Sequence, residues 1–135
     1  MTVIIDSDAW IEFFTAGQQG PKVKEVLGGG RPAVTPDLVL AEVCRKFDRD
    51  GLDRPTIESR LRVMRGLSGI AEISLAVALA VPQADKDLRA TARAKRTNMP
   101  GLGDAIILAT ARARNGTVLT GDPHFKDIPE TEWLG

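Results

Sequence analysis

The sequence predicts an α/β fold in three layers, with a central parallel sheet of four or five strands between two layers of helices. Its first run, Val3–Ile5, is apolar without polar alternation, as in strands buried on both faces of a parallel sheet. Along the rest of the chain, single strands alternate with pairs of helices. That order indicates parallel crossover connections rather than hairpins.

Composition places further limits on the protein. Its 135 residues are 43% hydrophobic and show no linker or repeat, so we expect one domain over 1–135 with a real core. The net charge is zero, which gives no overall attraction to nucleic acid. No apolar run approaches the roughly 20 residues that span a bilayer, so no membrane association is expected. Without a recognisable signal peptide, and with Cys44 as the single cysteine, a reducing cytoplasm is the expected location.

Caps and breakers delimit the first half of the chain. Thr35 and Pro36 predict a helix start, with threonine as the N-cap and proline at the first helical position. The stripe Val39, Val43 and Phe47 recurs at four-residue spacing and marks the buried face of that helix. The predicted elements here are helices over 8–16 and 21–27, a strand over 32–35, a helix from 36 to about 50, and a helix from Pro55.

The second half follows the same rules. Pro82 lacks an amide hydrogen, so a kink or break is expected inside the long helical pattern from Ser74 to Arg96. Asn115 and Gly116 predict a left-handed helix end. The predicted elements are a strand over 70–73, helices over 74–96 and 104–114, a loop over 98–103, a strand over 117–120, and a short last strand from Ile128.

Four acidic residues stand where a charge is costly. Asp6 and Asp122 directly follow the first and fourth predicted strands, and the carboxyl ends of parallel strands are where ligands bind. Glu42 borders a buried helix stripe, and Asp104 starts the most apolar helix. Each also has an ordinary structural explanation, namely a helix cap, a turn or an exposed helix position. It is much less plausible that all four acids have only such structural roles than that any single one of them does.

A cluster of such acids favours a metal ion. Two carboxylates about 5 Å apart repel by roughly 3 kcal/mol at an effective dielectric constant of 20. A hard cation relieves that repulsion, and oxygen ligands point to Mg²⁺ or Mn²⁺. Such ions activate a water molecule and stabilise displacement at phosphorus. The pattern therefore predicts phosphodiester or phosphate chemistry.

Four segments contain these acids: Ile4-Ile5-Asp6-Ser7-Asp8-Ala9-Trp10-Ile11, Leu40-Ala41-Glu42-Val43, residues 102–111 around Gly103-Asp104-Ala105, and Leu119-Thr120-Gly121-Asp122-Pro123-His124-Phe125. Together they resemble the PIN-domain ribonucleases, and most closely the VapC-type toxins of toxin–antitoxin pairs. Each segment is a weak signal alone, but four in order at these separations are fairly specific, and they span essentially the whole chain.

The resemblance implies a Mg²⁺- or Mn²⁺-dependent endoribonuclease of the cytoplasm, acting on RNA and held by a cognate antitoxin protein that covers the acidic site. It implies a homodimer as well. The apolar surface for both protein contacts is expected around Phe13, Phe14, Leu61 and Met64. The implied catalytic and metal-binding residues are Asp6, Glu42, Asp104 and Asp122, with Ser7 and Thr120 at the family's small hydroxyl positions.

Several residues near these motifs need separate interpretation. Asp8 stands where the family usually has a hydroxyl or amide residue, and we predict that it caps the first helix rather than joining the site. His124, the only histidine, suggests a general base, but a structural hydrogen bond in its tight turn is favoured. A local excess of basic residues makes Arg89, Arg93 and Arg96 candidates for RNA-backbone contacts, although a solvated helix face has the same composition.

Two other functions fit part of the pattern. Asp6-Ser7-Asp8 and Gly121-Asp122 imitate haloacid-dehalogenase-like phosphatases, whose first aspartate is a covalent nucleophile. That alternative leaves Glu42 and Asp104 unexplained. The other is a non-catalytic PIN-like interaction module, but inactive chains of that kind typically lose acids that this one keeps.

Overall fold

The computed structural model describes residues 1–135 and contains one five-stranded parallel sheet in the order β3-β2-β1-β4-β5. Its strands are β1 (Val3–Ile5), β2 (Ala33–Pro36), β3 (Gly69–Ala71), β4 (Thr117–Thr120) and β5 (Thr131–Trp133). Six helices connect them: α1 (Ser7–Phe14), α2 (Gly20–Gly28), α3 (Asp37–Arg49), α4 (Arg54–Leu67), α5 (Leu75–Lys95) and α6 (Leu102–Ala113). The prediction of an α/β fold with a parallel sheet is confirmed.

The strand order explains why helices cover both faces of the sheet. From β1 to β3 the chain moves towards one edge, and from β3 to β5 it moves towards the other. Right-handed crossovers in opposite directions place their helices on opposite faces. Accordingly, α1 packs on α2 and α3, and α3 packs on α4, whereas α5 packs along α6. Strands β1 and β4 lie at the centre, where the direction reverses.

The core lies around β1, whose three residues are fully buried. Trp10 of α1 and Phe47 of α3 fill the space beside it, and Phe125 is buried near the carboxyl end of the chain. The indole nitrogen of Trp10 donates a hydrogen bond of 3.0 Å to the Thr35 hydroxyl, which satisfies its polar atom inside the core. This packing fixes α1, and with it the chain that follows β1.

Some predicted boundaries are wrong. Thr35 and Pro36 belong to β2, and α3 begins at Asp37. Helix α5 continues through Pro82 without a break. Proline has no amide hydrogen to donate to the Ala78 carbonyl, but both residues are exposed, so water can bind that carbonyl instead. The last strand starts at Thr131 rather than Ile128, which is buried in the preceding turn.

None of the helices combines the length with the apolar character that crossing a membrane requires.

Candidate metal-binding active site

The candidate site lies where the sheet changes direction, at the carboxyl ends of β1 and β4. In open α/β sheets this switch point forms a crevice that binds ligands. Asp6 follows β1 and Asp122 comes two residues after β4, so the two neighbouring strands deliver one aspartate each. Helices α3 and α6 contribute Glu42 and Asp104. The backbone therefore carries all four predicted acids to one edge.

Asp6 is the most deeply placed of these acids, with a relative exposure of 3%. Its Oδ1 accepts a hydrogen bond of 2.7 Å from the Ser7 amide, and its Oδ2 accepts one of 2.8 Å from the Thr120 hydroxyl. The Ser7 hydroxyl lies 3.5 Å from Oδ1, at the limit of hydrogen bonding. Burial raises the pKa of Asp6 well above its usual range, and the charge of Asp8 adds to that rise.

Asp8 does not cap α1, contrary to the prediction. Asp6 is the N-cap, through its bond to the Ser7 amide. The Asp8 carboxylate instead reaches the end of β4, where Oδ1 lies 2.9 Å from the Thr120 hydroxyl and Oδ2 accepts a bond of 2.5 Å from the Gly121 amide. A Cβ at position 121 would lie 3.0 Å from that Oδ2, so glycine permits this approach. Burial is also the main cause of the raised pKa of Asp8.

Asp104 and Asp122 both face the site, and each also accepts a hydrogen bond from a backbone amide. Asp104 is the third residue of α6, and its Oδ2 accepts a bond of 3.2 Å from the Gly101 amide. Asp122 caps the 3₁₀ turn Pro123–Phe125 by accepting a bond of 2.9 Å from the His124 amide. Burial first, and then the charge of Asp122, raises the pKa of Asp104. Asp122 therefore has the turn role that the sequence allows, whereas the N-cap of α6 is Gly101 and Asp104 binds its amide from the third helical position. Neither role removes the acid from the cluster.

Glu42 carries an uncompensated oxygen. Its Oε1 is buried and has no hydrogen-bond partner. Burial raises the pKa of Glu42, and the charges of Asp104, Asp122 and Asp8 contribute to that rise. A Cβ at position 103 would lie 3.4 Å from Oε2, so Gly103 lets the start of α6 come close to this carboxylate.

This arrangement suits a hard divalent cation. The acids raise one another's pKa, and a buried carboxylate oxygen without a donor is costly unless a cation or a proton meets it. Ligand atoms of Asp104, Asp122 and His124 all lie within 4.8 Å of one another. The ligands available are carboxylate oxygens and one imidazole nitrogen, a set that suits Mg²⁺ or Mn²⁺.

An open cleft of about 530 Å³ adjoins the acids, and its basic side chains come from α3. Arg89, Arg93 and Arg96 do not line it; Arg89 is paired with Asp85 on its own helix at 3.0 Å. The sequence analysis missed the basic lining residues, of which Arg45 and Arg49 lie away from the apolar stripe of α3 and Lys46 lies at its border. These residues are Arg45, Lys46 and Arg49.

The PIN domain family model matches residues 3–131 of this sequence. The chain belongs to the PIN domain family. That match runs from the start of β1 to the first residue of β5 and leaves the haloacid-dehalogenase alternative without support. No protein of curated function matches the sequence significantly.

Solved structures of PIN proteins share this fold. The chain is similar to one in a toxin–antitoxin complex from Klebsiella pneumoniae, with a TM-score of 0.73, 21% identity and 98% of each chain covered. It is also similar to a chain of the Rickettsia felis VapBC2 complex bound to promoter DNA, with a TM-score of 0.71, 19% identity and 98% of each chain covered. The similarity to Mycobacterium tuberculosis VapC20, described as a sarcin–ricin loop cleaving toxin, has a TM-score of 0.61 and 19% identity, with 89% of this chain and 91% of VapC20 covered.

Proposed function

We propose that this PIN protein is a metal-dependent endoribonuclease and the toxin of a toxin–antitoxin pair, with Asp6, Glu42, Asp104 and Asp122 as its catalytic and metal-binding acids. The observation that carries the proposal is the buried Glu42 oxygen without a partner, set among acids from four separate elements at the switch point. Arg45 is the protein cation that lowers the pKa of Glu42, but it makes no hydrogen bond to this oxygen. A bound metal ion would meet the oxygen, which otherwise needs a proton.

The chain's own residues prepare the site for hydrolysis. A bound Mg²⁺ or Mn²⁺ would supply an activated water and neutralise charge that develops on the phosphate. Thr120 holds one Asp6 oxygen and accepts a bond of 3.0 Å from the Asp122 amide, so it fixes both strand ends relative to each other. Backbone amides hold three of the acids in place: Ser7 donates to Asp6, His124 to Asp122 and Gly101 to Asp104. Three acids held in this way would need little rearrangement when a cation binds.

RNA reaches the acids along the cleft in this proposal. Arg45, Lys46 and Arg49 form a basic row on one helix of its lining, which suits contact with a phosphate backbone. Lys46 is paired with Asp50 at 3.1 Å, so Arg45 and Arg49 are the favoured contacts. Arg93 and Arg96 are exposed at the end of α5 and remain candidates for more distant contacts. The same cleft presents Asp8, Glu12 and Glu42, which an antitoxin tail with a basic side chain would pair with. Antitoxin and RNA therefore compete for it, in the cytoplasm where both occur.

A homodimer is part of the proposal, but its surface differs from the one expected. Met64 is fully buried, and Phe13 and Phe14 pack against the core. Exposed apolar side chains instead follow one another from the end of α4, past the edge strand β3, into α5. This edge surface consists of Leu67, Ile70, Ile73, Leu75 and Leu79, of which Leu75 and Leu79 are 84% and 81% exposed. A second copy is the occupant that we propose for it.

Cleavage of labelled RNA tests the function directly. We expect the purified protein to cut RNA with Mg²⁺ or Mn²⁺ and to stop when EDTA is present. The substitution Asp6→Asn keeps size and shape but removes a charge, and we expect activity to fall by at least about 100-fold. Cleavage that survives both EDTA and Asp6→Asn would overturn the proposal, whereas no cleavage by the parent protein with either ion would favour a non-catalytic interaction module.

A further inference from the structure

The imidazole of His124 is held in a fixed orientation beside the acids. Its Nε2 lies 2.8 Å from the Asn98 carbonyl oxygen. A carbonyl only accepts hydrogen bonds, so Nε2 carries the hydrogen, and Nδ1 of the neutral ring has a free lone pair. The favoured prediction of a structural hydrogen bond is confirmed by this contact. That bond uses one ring nitrogen and leaves the other for a different partner.

The free Nδ1 points at two carboxylates. It lies 3.3 Å from Asp122 Oδ1 and 3.6 Å from Asp104 Oδ2. In the neutral ring all three atoms carry lone pairs, and in a protonated ring Nδ1 would donate to the carboxylates instead, so a metal ion and a proton are the two alternatives at this position. Adjacent ligands of an octahedral ion with bonds of about 2.1 Å lie roughly 3 Å apart, so the three atoms are spaced much like one side of such a coordination shell.

The 3₁₀ turn fixes this arrangement. The His124 amide donates to Asp122 Oδ1, so one turn orients both the imidazole and the carboxylate next to it. The Asn98 carbonyl holds the ring from the loop after α5, and the side chain is about 24% exposed. A ligand held by a hydrogen bond on its far nitrogen is the usual design of a metal-binding histidine.

We propose that His124 Nδ1 is a nitrogen ligand of the divalent cation in this nuclease site, and that it makes the site prefer Mn²⁺ to Mg²⁺. The inference rests on the proposed function, because it assigns a ligand to the same cation. Imidazole binds later transition metals well, whereas Mg²⁺ prefers oxygen ligands, so one nitrogen shifts the balance towards Mn²⁺. Asp104 and Asp122 complete this side of the shell.

The single histidine makes a spectroscopic test unambiguous. Mn²⁺ is added to the untagged protein, and electron spin echo envelope modulation is recorded with unlabelled and with ¹⁵N-histidine protein. We expect a ¹⁴N modulation typical of a coordinated imidazole, replaced by a ¹⁵N pattern on labelling. Since only residue 124 takes up the label, no substitution is needed to assign the signal.

Metal affinity gives a second readout. We expect His124→Gln to weaken Mn²⁺ binding about tenfold in calorimetry and to leave Mg²⁺ binding within about twofold. Lys126→Gln, two residues further on and exposed, is the matched control and should change neither. Bound Mn²⁺ without histidine modulation would overturn this inference and leave the nuclease proposal standing. No Mn²⁺ binding at millimolar concentration would overturn both.

Discussion

Thr120 places one hydroxyl between two carboxylates: its Oγ1 lies 2.8 Å from Asp6 Oδ2 and 2.9 Å from Asp8 Oδ1. A hydroxyl has one hydrogen and can donate it to only one of them. The other carboxylate must then carry a proton or face a cation. This contact joins the start of α1 to the end of β4 and makes the two acids depend on each other.

The Thr120 hydroxyl should therefore be important for activity. We expect Thr120→Val, which keeps the shape of the side chain, to reduce RNA cleavage by about 10-fold or more, since it frees the Asp6 carboxylate to turn. Thr110→Val is the control, because that buried hydroxyl bonds only the Ile106 carbonyl of its own helix. Equal cleavage rates for the two variants, measured at saturating Mg²⁺, would argue against a positioning role for Thr120.

Substitutions of Asp8 test whether Asp6 and Asp8 compete for the hydrogen of the Thr120 hydroxyl. In Asp8→Asn the new amide can donate to the Thr120 oxygen, which frees the hydroxyl to donate to Asp6, and the bond to the Gly121 amide is kept. We expect this variant to be more stable than the parent in EDTA by about 1 kcal/mol. Asp8→Ala loses both bonds and should be less stable. Urea unfolding measures both, and a destabilised Asp8→Asn would contradict this description of the site.

The sequence was sufficient to predict the sheet, the helices and the acids that the fold gathers. It did not predict which aspartate caps α1, because Asp6 and Asp8 both flank the helix start and only the position of β4 decides where Asp8 turns. The basic row on α3 was missed since helix periodicity identifies a polar face but not what lies opposite it. A kink or a break was expected at Pro82, and no break occurs, because the Ala78 carbonyl that loses its partner is exposed to solvent.

The edge strand β5 depends on a pH-sensitive ion pair. Arg31 binds Glu132 with two hydrogen bonds of 2.7 and 2.9 Å, and the Thr117 hydroxyl donates to the same carboxylate. The Arg31 bonds are the main cause of the lowered pKa of Glu132. The ion pair therefore contributes its full stabilisation at pH values above the pKa of Glu132 in the unfolded chain, near 4.5. That stabilisation is lost as the pH falls through the lower pKa of Glu132 in the folded protein.

Thermal unfolding between pH 5 and pH 3 measures that contribution. The pair is about one-third exposed, so solvent screening limits its effect to roughly 0.5–1 kcal/mol. We expect the difference in stability between the parent and Glu132→Gln to shrink as the pH falls. A difference that stays constant over this range would show that the charge of Glu132 contributes nothing.

The edge surface predicts the oligomeric state. A homodimer of this 14.5 kDa chain should give twice that mass in light scattering after gel filtration. We expect Leu75→Glu with Leu79→Glu to give the monomer mass, because two charges cannot be buried in an apolar contact. Leu102→Glu, at an exposed leucine of α6, should leave the dimer intact. A parent protein with the monomer mass would contradict the homodimer proposal.

Anomalous diffraction from crystals soaked in Mn²⁺ tests the central claim most directly, because it locates the cation without relying on activity. Our account predicts a peak among the carboxylates of Asp6, Glu42, Asp104 and Asp122, with metal–oxygen distances of about 2.2 Å to at least two of them. Strong Mn²⁺ peaks elsewhere on the protein, with none in this cluster, would contradict it.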